Sequence, residues 1–548
     1  MRAPMRRWRG HPRAVLATLC LAFFMTLLDT SIVNIAIPDM LEGLDATFDE
    51  ILWVLNAYVL VFAVLVLLCG RLGDLLGPRA MLVAGMTVFT VASLLCGTAP
   101  NAGVLIAARA IQGLGAACMM PQTLTLLTET FPPERRGMAF GIWSAVGGVA
   151  PIAGPLVGGA LVDLYSWRWI FLINLPLGAL IVAMALLLVP EVAERPRSRP
   201  DVRGVVLSTL ALLLVTYGLI EGQKHDWGRV WSFVTIPLII GTGAALFAVF
   251  LFDQRRRQGR QPLLPFAVFA VRDFSTMMYV TGAVLFAVAA FLLPVTVYLQ
   301  AVLGLSAFGA GLVLAPPMVM QFMIAPVSGR LTDRIGGKFI LLTGLVLVAA
   351  GIALMAAMAH PDSHWSALMP GLLIAGSGLG AVFATMNAMA MKNVPQSLAG
   401  TASGVVSTVR QLGMVFGAAA IGAVLQNRLA TELPQEAERR SGELPPAVRT
   451  EFVRSFDRVS EGGLEVGDPR SGGLVQPPAG LPRDLLATVR SAAEEVFDHA
   501  FTTAMRVGIA VPVALLVLAA VACLRLKRTG PASVPASGEP NRASRPTG

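Results

Sequence analysis

The chain has 548 residues, of which 55% are hydrophobic and only 14% charged, with a mean hydropathy of +0.70 and a formal net charge of +9. A water-soluble protein of this length could not cover its surface with so few charges, so a soluble enzyme or binding module is excluded. The positive balance does not point to nucleic acid, because the charges fall in the short segments between apolar runs.

Those runs are each roughly 18–25 residues, enough to cross a hydrocarbon core of about 30 Å. With no water at that depth to satisfy the backbone, they must be helices. The basic opening MRAPMRRWRG imitates a signal peptide, but the run after it is too long for a signal core and many others follow. In chain order the predicted spans are 14–37, 51–69, 80–98, 103–126, 138–161, 169–189 and 204–221. They continue at 232–252, 274–299, 309–328, 339–358, 367–391, 401–425 and 502–524. The stretch 426–501 is polar, rich in Pro and Gly, and carries both signs of charge. It reads as a long loop, disordered in part, with short amphipathic helices near 445–458 and 482–499. Cys20, Cys69, Cys96, Cys118 and Cys523 lie in or at the end of apolar runs, without the spacing of a disulfide framework or metal site.

Fourteen spans put both termini on one side, and positive charge decides which. If the N-terminus is cytoplasmic, the internal segments hold 27 basic residues, and the short external loops hold only Arg168, Lys224 and Arg229. The first external loop, PDMLEGLDATFDE, has five acids and no base. Both termini are therefore expected in the cytoplasm.

Ten residues occur twice. Residues 70–79 read GRLGDLLGPR and residues 329–338 read GRLTDRIGGK; Gly70/Gly329, Arg71/Arg330, Leu72/Leu331, Asp74/Asp333 and Gly77/Gly336 are identical, and Arg79/Lys338 keep the charge. Each copy sits between two apolar runs and reads as a short charged loop. Asp74 is placed to pair with Arg71, Arg79 or a neighbouring helix N-terminus. Repeats of this kind mark transporters built from two related halves. Spans one to six then correspond to nine to fourteen, and seven and eight link them. The expected fold is an all-α integral membrane protein of 6 + 2 + 6 helices. Its parts are an N-terminal bundle (1–189), a linking pair (190–273), helices nine to thirteen (274–425), the loop (426–501), the last helix (502–524) and a disordered cytoplasmic tail (525–548).

Three intramembrane stretches carry unusual residues. LDTSIVNIAIP (28–38) puts Asp29 about fifteen residues into the first apolar helix, with Thr26, Thr30, Ser31 and Asn34 nearby. A charge there costs roughly 2.5–3.5 kcal/mol on insertion scales, so it must be neutralised, paired or facing water. Such a carboxyl suits reversible protonation; the alternative is a static, hydrogen-bonded Asp. LIAARAIQGLGAA (105–117) contains Arg109, the only mid-helix base of the N-terminal half, with Gln112 one turn on. A guanidinium keeps its proton and needs an anion or oriented carbonyls; Asp29 is the candidate anion, and a purely structural Arg bonded to carbonyls is the other reading. GGVAPIAGPLVGG (147–159) contributes Gly147, Gly154, Pro155, Gly158 and Gly159, small residues that let helices approach and a proline that bends one.

These motifs, with WRWIFLINLP at 167–176, resemble the major facilitator superfamily, and within it the fourteen-helix drug:proton antiporters of the EmrB/QacA type. The resemblance covers the chain apart from the long loop and the tail. It implies that the repeat segments (Gly70, Asp74, Arg79; Gly329, Asp333, Lys338) latch the halves and gate them. It implies proton coupling through Asp29 and Arg109, and an antiporter motif at 147–159 that seals the halves together. Trp167 and Trp169 are expected at the outer interface, and Arg410 in span thirteen is expected to be structural.

The function so implied is proton-coupled multidrug efflux by alternating access, in a bacterial inner membrane. Its partners would be protons, the lipid bilayer and small amphipathic, often cationic substrates, with a monomer sufficient and no nucleic acid involved. Asn34, Gln112, Gln321 and Glu221 are candidate cavity residues. No cofactor or metal is expected, and no acid/base or nucleophile set suggests an enzyme. Other readings are a dedicated exporter of one antibiotic, metabolite or lipid, or a membrane sensor or scaffold.

Overall fold

The computed structural model describes residues 10–191, 201–222, 224–225, 227–258, 262–270, 272–395, 398–442, 444–461 and 483–526. The first half contains α1 (Pro12–Ile32), α2 (Phe48–Leu76), α3 (Pro78–Gly97), α4 (Ala102–Thr130), α5 (Arg136–Leu164) and α6 (Asn174–Leu188). The linking pair is α7 (Val202–Glu221) and α8 (Ile236–Arg256), joined through a small hairpin at 229–235. The second half contains α9 (Arg272–Val297), α10 (Ala307–Ile335), α11 (Gly337–Met358), α12 (Met369–Met391), α13 (Ala399–Ser441) and α14 (Arg483–Leu524). Thirteen helices among the described residues are long and apolar enough to span a membrane, and the remaining expected span, 138–161, lies within α5.

Helix starts follow local chemistry. Thr47 and Glu50 form a reciprocal capping box at the head of α2. Asn101 accepts from Val104 N at the start of α4, and Ser306 from Gly309 N at the start of α10. Each oxygen satisfies a backbone donor that the first turn leaves unpaired.

The repeated decapeptide is not a loop. Residues 70–76 and 329–335 are the last turns of α2 and α10, and only Gly77 and Gly336 stand outside helix. With φ of 95° and 88°, both occupy a region that L side chains avoid, so a single glycine reverses the chain between two helices.

The halves meet through α5 against α10 and α2 against α13, and α7 of the linking pair lies on α2 and α13. Glycines set the closest approach. Gly329 presses on the Gly137 carbonyl, and a Cβ on Gly141 would lie 2.6 Å from Ala325 O. Across the other seam a Cβ on Gly70 would lie 2.6 Å from Gly404 Cα. All these contacts lie at the end of the bundle that carries the repeats. Towards the opposite end α5 and α10 diverge: a Cβ on Gly159 or on Gly311 would meet nothing within 4 Å. Gly329→Val is therefore expected to wedge the closed end apart, at an overpacking cost of about 1–3 kcal/mol. A cysteine in place of buried Ser328 should then react with a maleimide at least fivefold faster, and an unchanged rate would show that the seam yields without opening.

The expected loop 426–501 is largely helical among its described residues. At a rise of about 1.5 Å per residue, α13 is roughly 65 Å long, twice the hydrocarbon thickness. Its extension pairs with the start of α14, and a short helix, Pro446–Glu461, folds against it. Leu429, Leu433 and Ala437 on one side, and Val489, Val496 and Ala500 on the other, are buried together with Phe452 and Phe456. Arg440 joins Glu436 on its own helix to Glu495 on α14. The two amphipathic helices anticipated near 445–458 and 482–499 are present, the second as the head of α14. The rest of the expectation failed because apolar residues four apart continue the α13 stripe past the membrane boundary. Residues 462–482, most of the expected tail (527–548) and residues 1–9 lie outside the described residues.

Candidate functional site

Asp29 is fully buried in α1 and has three partners from two other helices. Arg109 Nη1 on α4 donates to Oδ2 at 2.6 Å. Gln112 Nε2, one turn further along α4, donates to Oδ1 at 2.8 Å, and Asn174 Nδ2 at the start of α6 donates to the same oxygen at 2.9 Å. Ser93 Oγ on α3 accepts from Gln112 at 2.8 Å and from Asn174 at 3.4 Å. Arg109 also donates to Gln112 Oε1 at 2.7 Å and to Val54 O on α2 at 3.2 Å, and its guanidinium lies 4.4 Å from the centre of the Tyr58 ring.

The pairing of Asp29 with Arg109 is thus present in the fold, and the reading of Arg109 as bonded to carbonyls alone is not. Its surroundings are donors to the carboxylate, the arrangement that makes a buried ion pair tolerable. Gln112 belongs to this cluster and not to a cavity wall. The sequence reading missed Ser93, Asn174 and Tyr58. Asn174 carried a signal, being the only amide in an otherwise apolar sixth span. Ser93 and Tyr58 carried none, since isolated Ser and Tyr are ordinary in membrane helices.

A separate cavity of about 280 Å³ lies between the halves. Its walls come from α1 and α5 on one side and α9 to α13 on the other, and Phe23, Trp143, Phe291 and Phe383 give it an aromatic character. Gln321 lines it as expected; Asn34, Gln112 and Glu221 do not. Asn34 is exposed and donates to Thr30 O, whereas Glu221 at the end of α7 sits 3.5 Å from His225. Nor is Asp29 on the wall. Among the described residues the one charged side chain there is Arg410, 5.6 Å from the Trp143 ring.

The repeated carboxylates bridge the halves. Asp74 at the end of α2 accepts from Gly400 N at 2.8 Å and Thr401 N at 2.6 Å, at the N-terminus of α13. Asp333 at the end of α10 accepts from Gly137 N and Met138 N, both at 2.8 Å, at the N-terminus of α5. Each acid meets the positive end of a helix dipole in the opposite half. Arg71 lies 3.8 Å from Asp74 in its own half. The conserved-charge pair acts within each half instead. Arg79 holds Leu186 O at 2.6 Å near the end of α6 and also pairs with Glu191. Lys338 donates to Leu524 O and Leu526 O at 2.7 and 2.6 Å at the end of α14.

The glycine motif of α5 mostly seats α5 on α1. Gly147 faces Phe23, Gly154 faces Ser31 and Gly158 faces Ile32, while Gly148 alone of this stretch faces α10, at Met318 O and Gln321. The expectation that the segment seals the halves together holds only at that glycine, because the halves are already parting by Gly159. The backbone of Pro155 continues the helix; its side chain lies outside the described residues. Trp169 is exposed as expected of an interfacial anchor, but Trp167 is buried, its indole nitrogen against Gly43 and the Arg168 guanidinium over its ring.

The sequence matches the Major Facilitator Superfamily model over residues 19–418. The chain belongs to that superfamily. The protein is therefore a multi-pass membrane transporter, and its relatives agree. It is 37% identical to an uncharacterised transporter of this superfamily from Mycobacterium tuberculosis, over 82% of this chain and 78% of the relative. It is 32% identical to the tetracenomycin C resistance and export protein of Streptomyces glaucescens, over 96% and 94%. The human organic anion transporter MFSD10 superposes with a TM-score of 0.57 over 92% of this chain and 99% of its own; at 13% identity that likeness carries the fold alone.

Proposed function

We propose that the chain is a proton-coupled drug exporter of a bacterial cytoplasmic membrane, with both termini and the repeat segments on the cytoplasmic side. The observation that carries this reading is Asp29 with its three donors, a carboxylate at membrane depth behind a substrate-sized cavity. The 27-to-3 excess of basic residues supports the orientation. Relatives named for multidrug and antibiotic resistance support export of small amphipathic molecules.

In that orientation the halves are closed towards the cytoplasm and parted towards the outside. Alternating access then runs as follows. Asp29 takes a proton from outside and its bond to Arg109 weakens. Arg109 keeps Gln112 Oε1, Val54 O and the Tyr58 ring, so the freed cation is not stranded. Asn174 Oδ1 is buried without a hydrogen-bond partner among the described residues, and it is the acceptor a protonated Asp29 needs once the amide turns. The closed end opens, the proton leaves inward, and substrate enters the cavity; the reverse movement carries it out. A membrane potential of roughly 150 mV supplies about 3.5 kcal/mol per proton, and each pH unit about 1.4 kcal/mol more. That supports a gradient on the order of a few thousand-fold for a neutral substrate.

Dye accumulation in cells with and without the chain tests the proposal. Expressing cells should hold less dye, and a protonophore should abolish the difference. A difference that survives the protonophore would refute proton coupling, and equal accumulation would refute export of that dye class.

A further inference from the structure

We infer that the central cavity selects a compound with an apolar, aromatic body and one anionic group, and that Arg410 is the residue that reads the charge. This deepens the export reading and rests on it for direction of transport, but not for binding. An acid on the cavity wall would have favoured a lipophilic cation. Among the described residues lining the cavity there is no acid: Asp29 is fully buried outside it, and both of its oxygens are already taken by donors.

Arg410 stands about eleven residues into α13, at the depth where a cation is least tolerated. Its guanidinium cannot shed its charge. No carboxylate, carbonyl or other hydrogen-bond acceptor contacts it among the described residues; its one recorded partner is the Trp143 ring, stacked in turn on Phe23 at 3.9 Å between centroids. Ring attraction offsets only part of the desolvation of a cation. Arg109, the other deep arginine, has a carboxylate, an amide and a carbonyl. The contrast between the two is the argument: one is fully satisfied by protein and the other is left for a visitor.

Further donors converge on the same wall. Trp143 Nε1 and Ser144 Oγ are buried and unpartnered among the described residues, on side chains that are 1% and 4% exposed. Trp143 and Ser144 both line the cavity, as does Gln321. Buried donors left unpaired are rare and costly, and an incoming oxyanion would satisfy them. One acceptor, Asn387 Oδ1, is buried without a partner among the described residues, belongs to another residue lining the cavity, and suits a hydroxyl on the same ligand. Apolar ring contacts from Phe23, Trp143 and Phe291 would hold the body, and the guanidinium would fix the acidic group in a bidentate fork.

The test is equilibrium dialysis of the full chain in nanodiscs, with empty nanodiscs subtracted and no ion gradient. Three probes share one ring system: 1-naphthaleneacetate, 2-(1-naphthyl)ethanol and 2-(1-naphthyl)ethylamine. The acetate should bind at least tenfold tighter than the amine. Arg410→Gln should weaken the acetate at least tenfold and the alcohol less than threefold, and Arg410→Lys should weaken the acetate less than Arg410→Gln does. Should Arg410→Gln fail to fold, Trp143→Phe, which keeps the ring and removes the donor, should still weaken the acetate more than the alcohol. The inference is overturned if the amine binds as tightly as the acetate, if the substitutions weaken all three probes alike, or if none of them binds saturably. Because no gradient is used, the outcome stands apart from proton coupling: selective binding with no protonophore-sensitive export would refute proton-coupled export and leave this inference intact.

Discussion

Asp29→Asn is expected to abolish gradient-driven export, lowering uptake into inside-out vesicles by at least a hundredfold, to the level of empty vesicles. The side chain receives three hydrogen bonds as an anion, and its neutral form has one acceptor in reach, Asn174 Oδ1, once that amide turns. An amide stands in permanently for the protonated carboxyl and leaves Arg109 without its anion. Breaking a buried pair by removing one member costs about 3–5 kcal/mol. Moving a two-state equilibrium from 1:99 to 99:1 takes about 5.5 kcal/mol. The proton that neutralises Asp29 therefore carries most of the free energy needed to change which conformation is favoured, and the Asn variant fixes the protein in the neutral state permanently. Counterflow, in which labelled substrate exchanges for unlabelled substrate without net proton movement, should persist in the variant. Loss of counterflow in a protein that still folds would reassign Asp29 to structure, and undiminished export against a pH gradient would remove it from coupling altogether.

Asp74→Ala should release the closed end. The carboxylate reaches across the midline to the N-terminus of α13, where Gly400 N, Thr401 N and the Thr401 hydroxyl all donate to it. Hydrogen bonds to a charged group contribute about 1.5–3 kcal/mol each net of exchange with water, and three that share one carboxylate do not add in full. A net loss of about 3 kcal/mol shifts the balance between closed and open roughly a hundredfold. Asp333 holds the twin contact on α5, so the single variant loosens one of two latches and the double variant Asp74→Ala/Asp333→Ala both. Spin labels at Arg135 and Asn393, exposed positions on opposite halves at that end, report the separation in a cysteine-free background. The distance distribution should gain a longer component in the single variant and be dominated by it in the double. If both distributions match the parent, the carboxylates are helix caps with no part in gating.

The two carboxylate devices differ in how far the sequence disclosed them. The repeat at 70–79 and 329–338 announced two related halves, and the burial of Asp29 and Arg109 in apolar runs announced a pair. Both signals are local: a charge among hydrophobic residues must be compensated whatever surrounds it. The partner of Asp74 was not legible, because a helix N-terminus has no residue signature on the acceptor's side. Three candidates were named for it, and the neighbouring helix was the one found, together with Arg71 at a longer distance. The helical stalk beyond residue 425 was underestimated for a related reason. Its stripe of Leu429, Leu433 and Ala437 is sparse, and stabilisation comes from α14, whose complementary face lies more than fifty residues further on.

The class of protein, the number of expected crossings, the two-fold internal kinship and the asymmetry of positive charge are all readable from the order of residues alone. Each follows from the bilayer acting on one helix at a time: length must match thickness, backbone must pair within the segment, and cations stay on one face. Which charges are spent and which are left over depends on how the helices pack. Asp29 and Arg410 look alike on paper, each a lone ionisable group in a greasy helix. Packing encloses the first among Arg109, Gln112 and Asn174 and leaves the second on the wall of the cavity, because the compensation of a buried charge depends on what three or four other helices bring to it.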